Sequence, residues 1–474
     1  MDLFKQDFSV SSQTSANLQN TTQEKIDFGE TTNNKLIVIN NPNNTDLISP
    51  DRNIVVSALK LIISTLEDDQ TIEDINDSVI ENVLKLGNSK DDEIIADVVE
   101  IISYITIAPD KILKRYLYLQ PSFKQVLLHI ISTTRNKTII TNSLNALCEM
   151  INEKLETIES IDGGNLFKAS LFILSKCRKN KFKQECQPAL ILLAKCLCFF
   201  EAPPEIIVDS TNEILRFLNS RINFIKPFII RLINTISYYQ PERTLNYFSN
   251  EIIHFVHLFT NQNFDSTPYA ENIFGTLNNM VFKSDEFAVY LPSSTPLFEI
   301  PVNPNWHERI LQNYIQLQDT IFRRLKLVDK NEENWGKAIS NIRKYADSIL
   351  MIGISLLGSS SFRLKKTVVS MFCQLILLND TQIFRNIFPK YIDLFTILIE
   401  YFEFNDAELT HEIAITIYLL CKSSPINGDI DVFDVLMKTD GVYIVQNLLS
   451  DTEIDPDILR IINQIQQMIP DNLP

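Results

Sequence analysis

A short apolar pattern recurs along this chain of 474 residues, and it constrains the possible fold more than any other feature. The pattern places apolar residues at helical spacing within seven positions, as in LKLIIST and VEIISYI. Successive copies lie 40 to 46 residues apart, except for one gap of 95 residues between Phe274 and Val369. That gap is close to twice the usual spacing, which predicts one divergent unit inside it. The copies begin at Leu59, Val99, Leu144, Leu190, Ile230, Phe274, Val369, Ile413 and Leu459.

The period of this pattern predicts a stack of helical units. Apolar residues recur every three to four positions almost everywhere, which is typical of amphipathic helices. A unit of about 44 residues accommodates two long helices, or two long helices and a short one. Each unit would expose an apolar face that only its neighbours can cover, so the units would share one continuous core. We therefore predict an all-α solenoid.

The last unit resembles an armadillo repeat. Its sequence is TDGVYIVQNLLSDTEIDPDILRIINQIQQMI, and Gly441 stands where that family places glycine between its first two helices. The segment from Leu448 to Asp451 resembles the end of the second helix, and Leu459 to Ile465 resembles the third. Residues 127–152 resemble the same layout. The resemblance implies an armadillo-like right-handed superhelical solenoid of about ten helical repeats, whose third helices line a concave groove that binds peptides or helices of other proteins.

The boundaries of the array are predicted from composition. Residues 1–45 are rich in Ser, Thr, Asn and Gln and cannot bury a core, so we predict a disordered tail. Within it, Leu36 to Ile39 is either a docking segment or a loose edge of the first repeat. Ser49, Pro50 and Asp51 predict the start of the first helix. We expect repeats over 49–282 and 331–468, and a short tail over 469–474.

Residues 283–330 are predicted to interrupt the array with a proline-containing insertion and a helix. Four prolines exclude a continuous helix across 283–305, and a helix is expected from Trp306 to Arg324. Trp306 and Trp335 either lock this junction or anchor a partner. The apolar side chains of the insertion either pack on the solenoid or contact a partner, and the candidates are Phe287, Tyr290, Phe298 and Trp306.

Composition narrows the compartment and the classes of partner. With 43 basic and 59 acidic residues, the formal charge is −16, which repels nucleic-acid backbones and either attracts basic peptides or serves solubility. The N-terminus shows no signal-peptide pattern, and no apolar run is long enough to span a bilayer. The seven cysteines, an odd number in a large chain, favour a reducing compartment. We expect a cytoplasmic protein, with the nucleus as an alternative.

No pattern of residues predicts catalysis, a cofactor or a metal ion. Nucleotide-binding loops, serine-hydrolase elbows and zinc-protease motifs are absent from the sequence, and only 10 glycines occur. Cys177, Cys186, Cys196 and Cys198 lack C-x-x-C spacing, so we interpret them as buried thiols, with a zinc site as the alternative. A basic run could bind an acidic tail, a phosphorylated segment or an import receptor, or could be a solvated turn; it comprises Lys176, Arg178, Lys179, Lys181 and Lys183.

The most specific functional comparison is with the importin-alpha family, whose third helices read W-A-L-S-N. At the Trp position this chain has Glu100, Asn145, Ile191, Arg231, Gly275, Ser370 and Ala414, and none is Trp. At the Asn position, only Asn279 matches. The resemblance is therefore weak, and other side chains would read the partner. The candidate groove residues at these positions are Tyr104, Asn145, Glu149, Arg231, Asn279 and Gln374.

Three functional hypotheses follow. The leading one is a non-enzymatic protein-binding scaffold or adaptor that uses the groove of the repeats. The alternatives are a nuclear import adaptor similar to importin alpha, and a regulatory subunit of a phosphatase or chaperone complex. An enzyme is the remaining class, and no residue pattern favours it.

Overall fold

The computed structural model describes most of the chain from residue 44 onward. The described residues are 44–67, 75–108, 111–120, 122–153, 163–177, 184–261, 263–303, 306–330, 333–359, 361–378, 392–402, 406–423, 432–439, 441–450 and 455–469. Most of the predicted tail, 1–43, therefore lies outside the described residues, as does 470–474 at the other end. Residues 44 and 45, which were expected in the tail, belong to a short helix.

The described residues lie mostly in helices, and they contain no β-strand. The helices are α1 Asn44–Leu47, α2 Arg52–Glu67, α3 Asp77–Leu86, α4 Asp92–Ile107, α5 Lys111–Leu119, α6 Ser122–Thr133, α7 Lys137–Glu153, α8 Gly163–Lys176, α9 Cys186–Phe199, α10 Pro204–Leu218, α11 Lys226–Tyr239, α12 Pro241–Tyr247, α13 Ser249–Phe259, α14 Thr267–Lys283, α15 Asp285–Ser294, α16 Glu308–Leu325, α17 Glu333–Leu357, α18 Phe362–Leu377, α19 Ile392–Phe402, α20 Ala407–Lys422, α21 Val432–Lys438, α22 Gly441–Ser450 and α23 Pro456–Met468.

Ten of these helices form a ladder in which each helix packs against the next. The ladder helices are α2, α4, α7, α9, α11, α14, α16, α18, α20 and α23. Nine of them carry the recurring apolar pattern found in the sequence, and their apolar residues join one continuous buried core. The other described helices pack beside the ladder and cover that core. The predicted all-α solenoid is confirmed.

Helix α16 occupies the place of the divergent unit in the long gap. It packs between α14 and α18, so the ladder continues where an interruption was expected. Its apolar pattern is obscured because several positions that face the core carry polar side chains. Gln312, Gln318, Asp319 and Thr320 are all at most 8% exposed. Buried polar groups need partners, and some of those found here lie on neighbouring ladder helices.

The proline-containing segment before α16 is mostly folded against the array. Helix α15 begins after Ser284, whose hydroxyl accepts a hydrogen bond from the Phe287 amide, and Pro292 lies in its last two turns. Helix α15 packs against α17, as does the 3-10 turn at Leu297–Glu299. The expectation that no continuous helix crosses 283–305 holds, because α15 ends at Ser294.

The first ladder helix begins slightly later than the sequence predicted. Helix α2 starts at Arg52, and the Asp51 carboxylate accepts a hydrogen bond from the Asn53 amide. The Ser49 hydroxyl accepts from the Asp51 amide instead of capping the helix. Asp51, which was expected in the first turn, therefore caps α2.

Gly441 fits the role that the armadillo resemblance gives it. It begins α22 directly after α21, and a Cβ atom there would lie 2.6 Å from Leu436 Cδ2 and 3.0 Å from Ile399 Cδ1. Only glycine allows this close approach between the first two helices of the last unit. The three helices α21, α22 and α23 thus reproduce the three-helix layout inferred from the sequence.

Candidate functional site

The solvent-accessible side of the ladder helices, here called the ladder face, carries most of the candidate groove residues. It is marked by exposed side chains at the second position of the apolar pattern, including Lys60, Glu100, Arg231 and Arg460. Among the candidates, Arg231 is exposed, and Tyr104, Asn145, Glu149 and Asn279 are half-buried. Gln374 is only 1% exposed and accepts a hydrogen bond from the Lys326 ammonium group. Gln374 is therefore a structural residue, and the candidate surface reduces to the other five.

Uncharged side chains connect three neighbouring ladder helices in the middle of this face. Between α11 and α14, Asn234 Nδ2 donates to Asn272 Oδ1 at 3.2 Å, and Asn279 Nδ2 donates to Ser237 Oγ at 2.9 Å. Between α14 and α16, Thr320 Oγ1 donates to Asn278 Oδ1 at 2.6 Å. These bonds fix the register of adjacent units, because each joins residues 38 to 42 positions apart. We call them the amide rungs.

A group of charged side chains, the Arg323 cluster, connects α16, α18 and α20. The Arg323 guanidinium binds the carboxylates of Asp319, at 2.8 Å, and Glu412. The Ser370 hydroxyl lies 2.9 Å from an oxygen of each carboxylate. Burial raises the pKa of both carboxyl groups, and Arg323 opposes that shift. This cluster was not predicted, although Arg323 and Arg324 stand side by side in the last turn of α16.

The first ladder helices are connected by ion pairs nearer to the solvent. Arg52 and Lys60 of α2 both bind Glu93 of α4, at 2.5 and 3.0 Å. Tyr104 of α4 donates its hydroxyl hydrogen to Glu67 of α2 at 2.7 Å. Burial and this contact with Glu67 raise the pKa of Tyr104 to about 12, so the hydroxyl remains protonated and can donate.

The cysteines and one lysine form buried structure rather than a site. All seven cysteines are buried, and burial raises the pKa of Cys148 and Cys198 to about 12. Lys195 of α9 is 2% exposed and donates to the Cys148 carbonyl at 3.2 Å and to Asn152 Oδ1. The interpretation of Cys177, Cys186, Cys196 and Cys198 as buried thiols is confirmed, and Lys195 does not reach the solvent.

The remaining candidates lie apart from the ladder face or outside the described residues. Phe287, Phe298 and Trp306 are each at most 8% exposed, so they pack into the core and are not available to a partner. Tyr290 is 43% exposed. In the predicted basic patch, Lys176 is exposed and its ammonium group lies 3.8 Å from the Phe172 ring centre. Arg178, Lys179, Lys181 and Lys183 lie outside the described residues.

Two features are missing from the described part of the chain. No described helix combines the length and apolar character needed to cross a membrane. Histidine, cysteine and acidic side chains do not gather there in any group of three or more placed to hold a metal ion.

Comparison with known proteins supports the fold. The chain is similar to Kap95p, yeast importin-beta, in a structure showing that Kap95p binding induces the switch loops of RanGDP to adopt the GTP-bound conformation. The TM-score is 0.58 at 11% identity, over 90% of this chain and 51% of importin-beta. The chain thus spans about half the length of that protein. A designed armadillo repeat protein is also similar, with 15% identity over 50% of this chain and 98% of its own, at a TM-score of 0.38. No protein-family model matches the sequence, and no curated protein does.

The ladder of packed helices and the likeness to importin-beta define the class of the protein. It is an all-α solenoid of helical repeats with a fold similar to that of yeast importin-beta. At 11% identity the likeness establishes the fold alone.

Proposed function

We propose that this protein is a non-enzymatic scaffold that binds another protein along the ladder face. The observation that carries the proposal is the amide rungs, whose asparagines are half-buried on the ladder face: Asn234, Asn272, Asn278 and Asn279. Direct bonds between neighbouring units hold these side chains in fixed positions, so a partner would meet a preorganised surface and lose less free energy on binding. An extended or helical segment laid along such a face would make modest contacts with several units.

Two narrower hypotheses remain proposals within this class: a nuclear import adaptor, and a regulatory subunit of a phosphatase or chaperone complex. The likeness to importin-beta favours a role in nuclear import over the regulatory-subunit alternative, since the related structure concerns RanGDP and the assembly of nuclear import complexes. The negative charge of −16 supports a basic partner and opposes nucleic acid. Identification of the captured partner decides between an import factor and a phosphatase or chaperone component.

Replacing Arg231 with alanine should weaken capture of the partner by about tenfold, because an exposed arginine on a binding face is a frequent energetic anchor. The measurement is affinity capture from a reducing cell extract followed by mass spectrometry. Arg221→Ala is the matched control, since Arg221 is also exposed but lies in the turn after α10, outside the ladder. Equal capture by both variants and the unchanged protein would show that the ladder face around Arg231 does not bind.

A further inference from the structure

Four side chains of α4 form one stripe at the N-terminal end of the ladder face. Glu93, Asp97, Glu100 and Tyr104 are separated by four, three and four positions, which places them on one side of a helix. Glu67 of α2 reaches the end of this stripe through its contact with the Tyr104 hydroxyl. We call these five residues the acidic stripe.

Asp97 is the unusual member of the acidic stripe because one of its carboxylate oxygens is buried without a hydrogen-bond donor among the described residues. It is 7% exposed, and its Oδ2 atom has no donor within reach among the described residues. A buried carboxylate oxygen that lacks a hydrogen-bond donor costs free energy, and such unpaired oxygens are rare in native proteins. Desolvation raises the pKa of Asp97 to about 6, and the neighbouring carboxylates of Glu93 and Glu100 add to that effect. A cationic donor would remove both costs.

The cations of α2 do not meet this need. Lys60 and Arg52 lie near enough to lower the pKa of Asp97, but each is hydrogen-bonded to Glu93, and Arg52 also binds Asp91. Glu100 makes no ion pair with any described residue, and it is exposed beside Asp97 on the stripe. Negative charge therefore exceeds positive charge at this point of the ladder face, with one carboxylate exposed and one buried beneath it.

The geometry favours a long cationic side chain as the missing donor. Lysine and arginine carry several donors at the end of an apolar stem, and the half-buried ring of Tyr104 offers a surface on which such a stem can lie. A metal ion would need three or more converging ligands, and the described residues supply no such group. The acidic stripe thus suits a flexible side chain better than a compact ion.

We infer that the acidic stripe is a subsite for a lysine or arginine side chain of a basic segment in the bound partner. The inference rests on the proposed binding function and specifies the chemistry of one position along the ladder face. Glu100 attracts the approaching cation, Asp97 accepts its hydrogen bonds, and Tyr104 contacts its stem. The site lies on α4, so it is separate from Arg231 on α11.

The test uses the full chain and a fluorescently labelled oligolysine peptide, titrated by fluorescence anisotropy at low ionic strength. Asp97→Asn and Glu100→Gln should each weaken peptide binding by about tenfold, as expected when one partner of a desolvated charge pair is removed. Glu205→Gln is the control, because Glu205 is an exposed acid on α10 and its loss changes the net charge equally. Its effect on peptide binding should stay within about twofold.

Equal weakening by all three substitutions would overturn the inference, since it would show only general attraction to an acidic protein. Displacement of the peptide by calcium chloride, but not by sodium chloride of the same ionic strength, would overturn it in favour of a metal site. Loss of partner capture in Arg231→Ala with no effect of Asp97→Asn on the peptide would overturn this inference alone. Unchanged partner capture by Arg231→Ala, together with weaker peptide binding by Asp97→Asn, would contradict the proposed binding role of the central ladder face instead.

Discussion

Replacing Arg323 with methionine is expected to destabilise the protein by about 3 to 5 kcal/mol, because it leaves two buried carboxylates without their cation. The side chains of Asp319 and Glu412 are only 11% and 9% exposed, so water cannot replace the guanidinium. Methionine keeps most of the stem of arginine, so the loss is mainly one of charge. Urea denaturation followed by circular dichroism measures the change, and hydrogen exchange should locate it in α16, α18 and α20.

The pH dependence of this effect provides its own check. Burial raises the pKa of Asp319 and Glu412, and without Arg323 those pKa values should rise further. A carboxyl group whose pKa is raised in the folded protein holds its proton more tightly there than in the unfolded chain, so its protonated form favours folding at low pH. This contribution to stability is lost as pH rises through the folded-state pKa. The destabilisation should therefore be larger at neutral pH than in mild acid.

Arg309→Met is the matched control, because Arg309 is exposed and lies 4.0 Å from Glu271. Its free energy of unfolding should change by less than about 0.5 kcal/mol. A loss as large as that of Arg323→Met would contradict the assignment.

Replacing Asp97 with asparagine should have the opposite effect to Arg323→Met. It should increase the free energy of unfolding at neutral pH by about 2 kcal/mol. The folded-state pKa of Asp97 is about 6, against an ordinary value of 3.8, so ionising the folded protein costs more than ionising the unfolded chain. The extra free-energy cost of ionising Asp97 in the folded protein develops between about pH 4 and pH 6 and is complete above pH 6. Arg52, Lys60, Glu93 and Glu100 surround the carboxyl group in both proteins.

The difference in stability between Asp97→Asn and the unchanged protein should therefore be small near pH 4 and largest above pH 6.5, measured by urea denaturation at each pH. A stabilising substitution that also weakens oligolysine binding would mark Asp97 as a residue kept for binding at the expense of stability. A variant less stable than the unchanged protein at pH 7 would show that Asp97 has a donor, and the acidic stripe would lose its main support.

Much of the fold could be predicted from the sequence because the information is local. Nine ladder helices each carry their own apolar pattern, and the pattern alone located them. Helix α16 was predicted only as a helix and a missing unit, since Gln318 and Asp319 occupy buried positions that the pattern reserves for apolar residues. Their burial depends partly on neighbouring helices, which is information that no single segment contains.

The candidate site was less predictable for the same reason. The comparison with importin alpha placed Tyr104 and Asn279 on the ladder face, because position within a helix decides which side a residue occupies. It also selected Gln374, whose burial follows from the approach of Lys326, 48 positions earlier. Asp97 was overlooked although it interrupts the apolar run IIADVV, which spans residues 94–99. A lone acid in such a run is a usable signal of a buried carboxylate.

The three kinds of bond between ladder helices respond to different solution conditions. The ion pairs of Arg52 and Lys60 are exposed and weaken as salt screens them, whereas the amide rungs carry no charge and do not. The Arg323 cluster is buried from salt but contains two carboxylates that accept protons in acid. Salt should therefore loosen the contacts between α2 and α4 and leave those between α11, α14 and α16 unchanged, so the response of the ladder to salt differs along its length.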